Sequence, residues 1–112
     1  MDIKTRFIVR RAEATKENAN STRGSALIRV DVFFKNTWHR IGDFSLAEMR
    51  LLLGSEDSNY QSLVSKVRKP SERDINATTK IEAEYSFENK IVPWMKKFPN
   101  VRSEVVRTQI NS

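Results

Sequence analysis

Hydrophobic and polar residues alternate along two stretches in the first half of the chain, and a third short stretch returns after them. The alternating stretches cover residues 3–10 and 26–34, where many alternate positions hold β-branched or aromatic side chains, and the third covers residues 38–44. A period of two with these residue types predicts β-strands that are buried on one face. Lys35-Asn36-Thr37 separates the second stretch from the third and predicts a short hairpin turn. We therefore expect an N-terminal antiparallel meander of three strands.

The spacing of apolar residues changes to that of a helix after the third stretch. Ser45 and Glu48 have the spacing of a capping box, in which each side chain accepts a hydrogen bond from the other residue's backbone N–H. Leucine and methionine follow at helical intervals as far as Gly54, a residue type that commonly ends helices. This pattern predicts a helix over residues 46–53.

A second helix and a fourth strand follow. Ser58 and Gln61 repeat the capping-box spacing, and the apolar positions after them keep a helical period up to Pro70. Residues 79–87 alternate again and predict a strand whose charged residues face outward. Pro93 then predicts the start of a short helical turn.

The remaining segments carry weaker patterns. Residues 12–25 contain no large apolar side chain and predict a mobile loop, and residues 71–78 form a polar connection. Residues 101–110 fit a helix or a strand. The element order predicts one α+β domain over residues 1–112, with two or three short helices packed on one face of an antiparallel sheet.

Composition narrows the chemistry that is available to the chain. Its 112 residues include no cysteine and one histidine, His39. These counts exclude disulfides, thiol catalysis and zinc sites built from cysteine or several histidines, so we expect neither a metal nor a cofactor. No apolar stretch approaches the ~18 residues of a membrane-spanning helix. We therefore expect a protein of the cytoplasm, a reducing compartment, with no membrane partner.

The chain is basic, with 20 Lys plus Arg against 14 Asp plus Glu and a formal net charge of +6. Part of this charge is predicted to lie beside two aromatic rings on the outward face of the N-terminal strands. The residues of this predicted face are Lys4, Arg6, Arg10, Arg29, Phe33, Lys35, Trp38 and Arg40. Cations interleaved with aromatics suit single-stranded nucleic acid, because cations contact phosphates and rings stack on bases. The alternative is a solvated face whose charges keep an edge strand soluble, and Asp31 reduces its positive charge.

A second basic cluster surrounds the predicted end of the second helix. It consists of Lys66, Arg68, Lys69 and Arg73. Cations at this position complement the negative end of the helix dipole, which explains the cluster better than phosphate binding does.

Two sets of residues have the chemistry of catalytic groups. Glu88-Asn89-Lys90, with Asp74 upstream, matches the acids and lysine of metal-dependent nucleases, but chance also produces this spacing in so charged a chain. His39 near Asp43 or Arg40 has the chemistry of a general base, whereas a single histidine in a strand is typical of a structural residue. We therefore predict no enzymatic activity.

Two functions from different classes remain. The leading prediction is a small non-enzymatic protein that binds RNA or single-stranded DNA on the cationic sheet face. The alternative is an interaction module or inhibitor, such as an accessory protein of a phage or mobile element, that docks on a larger protein complex. Its candidate anchor is the apolar cluster Trp94, Met95 and Phe98, although such a cluster more often covers the core. The sequence predicts no oligomeric state.

Overall fold

Four antiparallel strands form a sheet in the computed structural model, which describes residues 1–11, 26–69 and 79–98. The strands are β1 (Asp2–Arg11), β2 (Ala26–Phe34), β3 (Thr37–Phe44) and β4 (Thr79–Ser86), in the order β3-β2-β1-β4. The helices are α1 (Leu46–Leu53), α2 (Ser58–Arg68) and a short α3 (Val92–Met95), which continues a π-helical turn at Phe87–Ile91. The predicted α+β fold is confirmed. The predictions for residues 12–25, 71–78 and 101–110 lie outside the described residues.

One face of the sheet, termed the inner face, shares a hydrophobic core with the helices. It contains Ile3, Phe7, Val9, Ile28, Val30, Val32 and Tyr85. From the helices, Met49 of α1 and Leu63 of α2 are fully buried in the same core. Each apolar side chain of this size stabilises the fold by about 1.5–3 kcal/mol on burial. The helices therefore cover the inner face.

A β-bulge in β3 changes which of its side chains share a face. Val30 pairs with Gly42, but the next residue, Asp31, pairs with Arg40, so Ile41 is an extra residue in β3. The bulge puts Arg40 and Asp43 on one face, whereas strict alternation would separate them. A Cβ atom at Gly42 would lie 3.2 Å from the ring of Phe44, a tight contact that the ring would have to relieve by a small shift.

The hairpin between β2 and β3 closes through a two-residue turn. Phe34 pairs with Thr37, and the two residues between them, Lys35 and Asn36, have φ angles of 51° and 62°. Positive φ at both positions matches the twist of the flanking strands, which is why such turns predominate in tight hairpins. The turn also interrupts the alternation of β2 before Lys35.

The predicted capping box begins α1. The Glu48 backbone N–H donates to the Ser45 hydroxyl at 3.2 Å, and the Ser45 backbone N–H donates to the Glu48 carboxylate at 2.9 Å. The helix ends at Leu53, before Gly54, as predicted.

The N-cap of α2 is Asp57. The capping-box spacing of Ser58 and Gln61 predicted Ser58 at this position, and that prediction was wrong. One Asp57 carboxylate oxygen accepts from the backbone N–H groups of Asn59 and Tyr60, at 2.8 and 2.9 Å. A carboxylate serves better than a hydroxyl at this end of a helix because it also complements the positive dipole. The same carboxylate accepts from the Tyr85 hydroxyl at 3.3 Å, which ties α2 to β4. Burial raises the pKa of Tyr85 to about 12, above the ordinary value for a tyrosine.

The chain segment after β4 closes the core. The strand was predicted to run to residue 87, but it ends at Ser86, and Phe87 is buried in the π-helical turn. In α3, the Trp94 ring lies 4.6 Å from the Phe44 ring, and its indole N–H donates to the Glu48 carbonyl at 3.1 Å. Trp94 is 3% exposed and therefore cannot anchor a partner.

The other two residues of the predicted partner anchor, Met95 and Phe98, also pack into the core. Met95 is 1% exposed, and the partly buried Phe98 contacts the rings of Phe44 and Trp94 at 5.2 and 5.3 Å. The predicted partner anchor is therefore part of the core. Pro93 beside an apolar cluster indicated a helical turn, but only the packing shows which way the turn faces.

We expect Asp57→Ala to lower the free energy of unfolding by about 1–2 kcal/mol, because two backbone N–H groups and a buried hydroxyl lose their acceptor. Ser58→Ala, the matched control at the neighbouring position, should change it by less than about 0.5 kcal/mol. Urea denaturation followed by circular dichroism measures both. Equal effects of the two variants would contradict the assignment of the N-cap.

We expect Trp94→Ala to lower the free energy of unfolding by about 3–5 kcal/mol, the usual cost of removing a large buried aromatic side chain. Leu51, which is 62% exposed on α1, provides the control, and Leu51→Ala should be close to neutral. Thermal and urea denaturation measure the difference. A Trp94→Ala variant of unchanged stability would contradict the burial of this side chain.

Candidate nucleic-acid interface

The second face of the sheet carries most of the residues predicted to bind nucleic acid, and we term it the outer face. Within the described ranges, the core helices pack on the inner face and leave the outer face open. Its residues are Asp2, Lys4, Arg6, Ile8 and Arg10 of β1, Leu27, Arg29, Asp31 and Phe33 of β2, Trp38, Arg40 and Asp43 of β3, and Lys80, Glu82, Glu84 and Ser86 of β4.

Two aromatic rings and two cations meet at one end of the outer face, and we term this group the aromatic corner. The rings of Phe33 and Trp38, which are paired across β2 and β3, lie 5.3 Å apart between centroids. The Arg6 guanidinium lies 4.2 Å from the centroid of Trp38, and the Lys4 ammonium lies 5.9 Å from that of Phe33. These distances are those of cation–π contacts. Both rings are partly exposed, so the corner combines aromatic surface with positive charge.

A buried carboxylate holds two arginines at the centre of the outer face. The Asp31 carboxylate is 0% exposed, and it accepts from Arg6 through Nε at 3.0 Å and Nη2 at 2.6 Å. The Nε of Arg29 donates to its other oxygen at 2.9 Å. Arg6 lies opposite Asp31 on β1, and Arg29 lies two residues earlier on β2, so the pleat of the sheet brings all three together. Two guanidinium groups compensate one buried charge.

A second carboxylate, Asp43, lies beside two further arginines. Nη2 of Arg40 donates to it at 2.6 Å, and Nη1 of Arg10 approaches it at 3.6 Å. The contact between Arg40 and Asp43 depends on the bulge in β3, which places residues 40 and 43 on the same face. Asp43 is 16% exposed, whereas Arg40 and Arg10 are 32% and 54% exposed. The arginines therefore face solvent more than the acid does.

The fourth strand brings acids next to the cations. In the register between β1 and β4, Glu82 lies opposite Arg6 and Glu84 lies opposite Lys4, and both glutamates are exposed. The sequence pattern predicts that these side chains face outward, but it does not predict which strand β4 joins. The outer face is consequently less cationic than the sequence predicts.

Lys35 does not join the outer face, and this part of the prediction was wrong. Its ammonium lies 5.7 Å from the centroid of Phe34, a ring that stacks on Phe87 and packs against the core. The prediction assumed that the alternation of β2 continues through residue 35, whereas the tight turn begins there. The other seven predicted residues share the outer face. Asp43 is the residue that the prediction missed, because a bulge has no signature in the alternation.

The second basic cluster lies in the helical layer. Lys66 and Arg68 occupy the last turn of α2, and Lys69 caps its C-terminal end. Val67, between them, is buried in the core under the inner face, so this cluster is not continuous with the outer face. Its position is the one that complements the helix dipole. Arg73 lies outside the described residues.

The nuclease-like residues make contacts within the fold. The Glu88 carboxylate accepts from the amino group of Met1 at 2.7 Å. The Lys90 ammonium donates to the Leu53 carbonyl at 3.3 Å and lies 5.6 Å from the centroid of Tyr85. Asp74 is outside the described residues. Across residues 1–11, 26–69 and 79–98, no three histidine, cysteine, aspartate or glutamate side chains cluster as metal ligands would.

His39 lies on the side of β3 that packs toward the core. Its Nε2 atom is 3.0 Å from the Phe34 carbonyl oxygen, and its ring meets the Phe34 ring edge-on at 6.2 Å. Arg40 and Asp43, its predicted neighbours, instead bond each other on the outer face. The structure therefore separates the histidine from these two residues.

Comparisons with known proteins identify no relative of this chain. No protein-family model, no curated protein and no solved structure matches it. Within the part of the chain that the structure describes, every helix is too short or too polar to cross a membrane. The outer face must therefore be interpreted from its own chemistry.

We expect Asp31→Ala to lower the free energy of unfolding by about 3 kcal/mol, since it leaves Arg6 and Arg29 facing each other without their shared acid. Glu84→Ala removes the same charge from an exposed position of the outer face and should cost less than about 0.5 kcal/mol. Urea denaturation of the two variants at equal ionic strength measures the difference. An equal loss of stability in the two variants would show that Asp31 acts only through the net charge of the protein and not through its contacts with Arg6 and Arg29.

Proposed function

We propose that this protein binds single-stranded nucleic acid, RNA or DNA, on the outer face of its sheet. The observation that carries the proposal is the aromatic corner, where two partly exposed rings lie beside a lysine and an arginine. Single-stranded nucleic acid presents both unstacked bases and phosphates, and it is therefore the ligand that uses both kinds of group.

The rings and the cations have separate roles in this proposal. The exposed parts of Phe33 and Trp38 provide surfaces for base stacking, which tolerates any base because every base has a π-face. Lys4, which is exposed beside Phe33, contacts the phosphate next to a stacked base. Arg6 has a fixed position over Trp38 because Asp31 holds its guanidinium, so little side-chain entropy is lost when it contacts the ligand.

The acids of β2 and β3 are more buried than the arginines that contact them, and this difference in burial also supports the function. Asp31 is completely buried, whereas the side chain of Arg29, which bonds to it, is 34% exposed. Asp43 is likewise less exposed than Arg40 and Arg10. A phosphate that approaches β1, β2 and β3 from solvent therefore meets guanidinium groups before it meets carboxylates. The buried acids orient the arginines and leave positive groups at the surface.

The alternative function, a module that docks on a larger protein complex, has lost the anchor on which it was based. Trp94 and Met95 are buried in the core, and Phe98 packs against them. The aromatic corner therefore favours nucleic acid as the partner. The proposed ligand and the absence of cysteine also fit the cytoplasm as the site of action. The proposal assigns no reaction, metal or cofactor to the protein.

We expect the protein to bind a fluorescein-labelled single-stranded oligonucleotide in anisotropy titrations at low salt, and Trp38→Ala to weaken this binding about five- to a hundredfold. This range corresponds to about 1–3 kcal/mol for the loss of one stacking ring. Trp38→Phe keeps a ring and should retain most of the affinity. Leu51→Ala, an exposed apolar side chain in the helical layer, should have no effect.

The charged contacts are tested in the same titration. Lys4→Ala should weaken binding and reduce the slope of log K against log salt by about 0.7, because one phosphate contact to a single strand is lost. Arg50→Ala removes the same charge from an exposed position of α1 and should leave the slope unchanged. Absence of binding at low salt, or equal affinity of Trp38→Ala and the wild type, would refute the proposed function.

A further inference from the structure

We infer that Glu82 and Glu84 make the outer face selective for single-stranded over double-stranded nucleic acid. This inference rests on the proposed function, and it assigns a role to the two acids that the binding proposal leaves unused. Both side chains are exposed on β4, one opposite Arg6 and the other opposite Lys4. They differ from Asp31 and Asp43, which lie beneath the arginines that they hold.

The charges therefore differ between the two sides of the outer face. On β1, β2 and β3, the more exposed charged groups are the cations Lys4, Arg10, Arg29 and Arg40, with one exposed acid, Asp2, at the first position of β1. On β4, two of the three charged residues are acids. Neighbouring strands lie about 4.8 Å apart, so β4 is about 14 Å from β3 across the sheet. The cationic and aromatic groups thus lie over β1, β2 and β3, a band that is narrower than the whole sheet. The two glutamates of β4 border this band on one side.

A single strand fits this band. It has one phosphate backbone, which can follow β1 to β3, while its bases turn toward Phe33 and Trp38 at the aromatic corner. Its contacts nearest to β4 are those with Lys4 and Arg6 on β1, opposite Glu84 and Glu82, and the rest of its length lies over β2 and β3. The two glutamates therefore oppose a single strand less than they oppose a duplex.

A duplex does not fit the same band. Its bases are stacked inside, so the rings of the aromatic corner have no partner, and binding depends on phosphates alone. Its two backbones are separated by grooves of about 6 and 12 Å in B-form DNA. When one backbone lies over Arg29 and Arg40, the other reaches toward β4 and meets Glu82 and Glu84. Like charges opposed in this way are unfavourable and suppress the wrong ligand.

The experiment compares one sequence as a single strand and as a blunt duplex, each in RNA and in DNA form, by anisotropy at low salt. The variants are Glu82→Gln, Glu84→Gln and the double variant, all with melting temperatures checked. Glu56→Gln is the matched control, since Glu56 is exposed in the turn between α1 and α2 and carries the same charge. The control corrects for the change in net charge.

We expect the wild type to bind the single strand at least tenfold more tightly than the duplex. The double variant should bind the duplex about five- to thirtyfold more tightly than the wild type does, and the single strand less than about twofold more tightly. The range follows from about 0.5–1 kcal/mol per exposed charge pair. Glu56→Gln should change both affinities by less than about twofold.

Two results would overturn this inference while leaving the proposed function intact. One is a wild type that binds duplex and single strand equally. The other is a double variant whose gain in duplex binding free energy is no larger than twice that of Glu56→Gln, since the control removes one negative charge and the double variant removes two. Failure of the wild type to bind any single strand would instead overturn the proposed function, and the inference with it.

Discussion

The carboxylate of Asp31 organises the outer face of this protein. It is completely buried on a face that carries no helix in the described part of the chain, because Arg6 and Arg29 cover it. Burying an unpaired carboxylate is unfavourable by several kcal/mol, so the position of both arginines is constrained by the acid beneath them. Arg6 in turn lies over Trp38, and Trp38 contacts Phe33. One buried charge thus fixes Arg6 and Arg29 and, through Arg6, links the centre of the outer face to the aromatic corner.

Local patterns in the sequence predicted most of the elements. Alternation identified the strands, and the box formed by Ser45 and Glu48 identified the start of α1, since both signals lie within a few residues. Features that depend on distant contacts were not predictable in this way. The bulge at Ile41 adds a residue without changing the composition of β3, and the place of β4 beside β1 depends on contacts between distant segments. Asp57 caps α2 although Ser58 has the expected spacing, because a carboxylate that also bonds Tyr85 is the stronger acceptor.

The candidate site also has features that local sequence patterns predict and features that depend on distant contacts. Seven of the predicted residues share the outer face because strand alternation is a local property, and Lys35 is absent because the turn ends that alternation. Charge balance was harder to predict, since a residue's neighbours across a sheet depend on strand order. Once β4 lies beside β1, the cations of β1 lie between acids on both sides, Asp31 on β2 and the glutamates of β4. The site is therefore better described by its aromatic corner than by its net charge.

The position of β1 has a consequence for how the chain reaches its fold. β1 lies between β2 and β4, and its Val9 pairs with Thr79 while its Asp2 pairs with Ser86. The hairpin of β2 and β3 needs only a two-residue turn, but the pairing of β1 with β4 must close a loop that contains β2, β3, α1 and α2, and loop entropy opposes this step. Until β4 has paired with β1, one side of β1 has unpaired backbone N–H and C=O groups. In a partly folded chain, that side is the most exposed to pairing with a strand of another molecule.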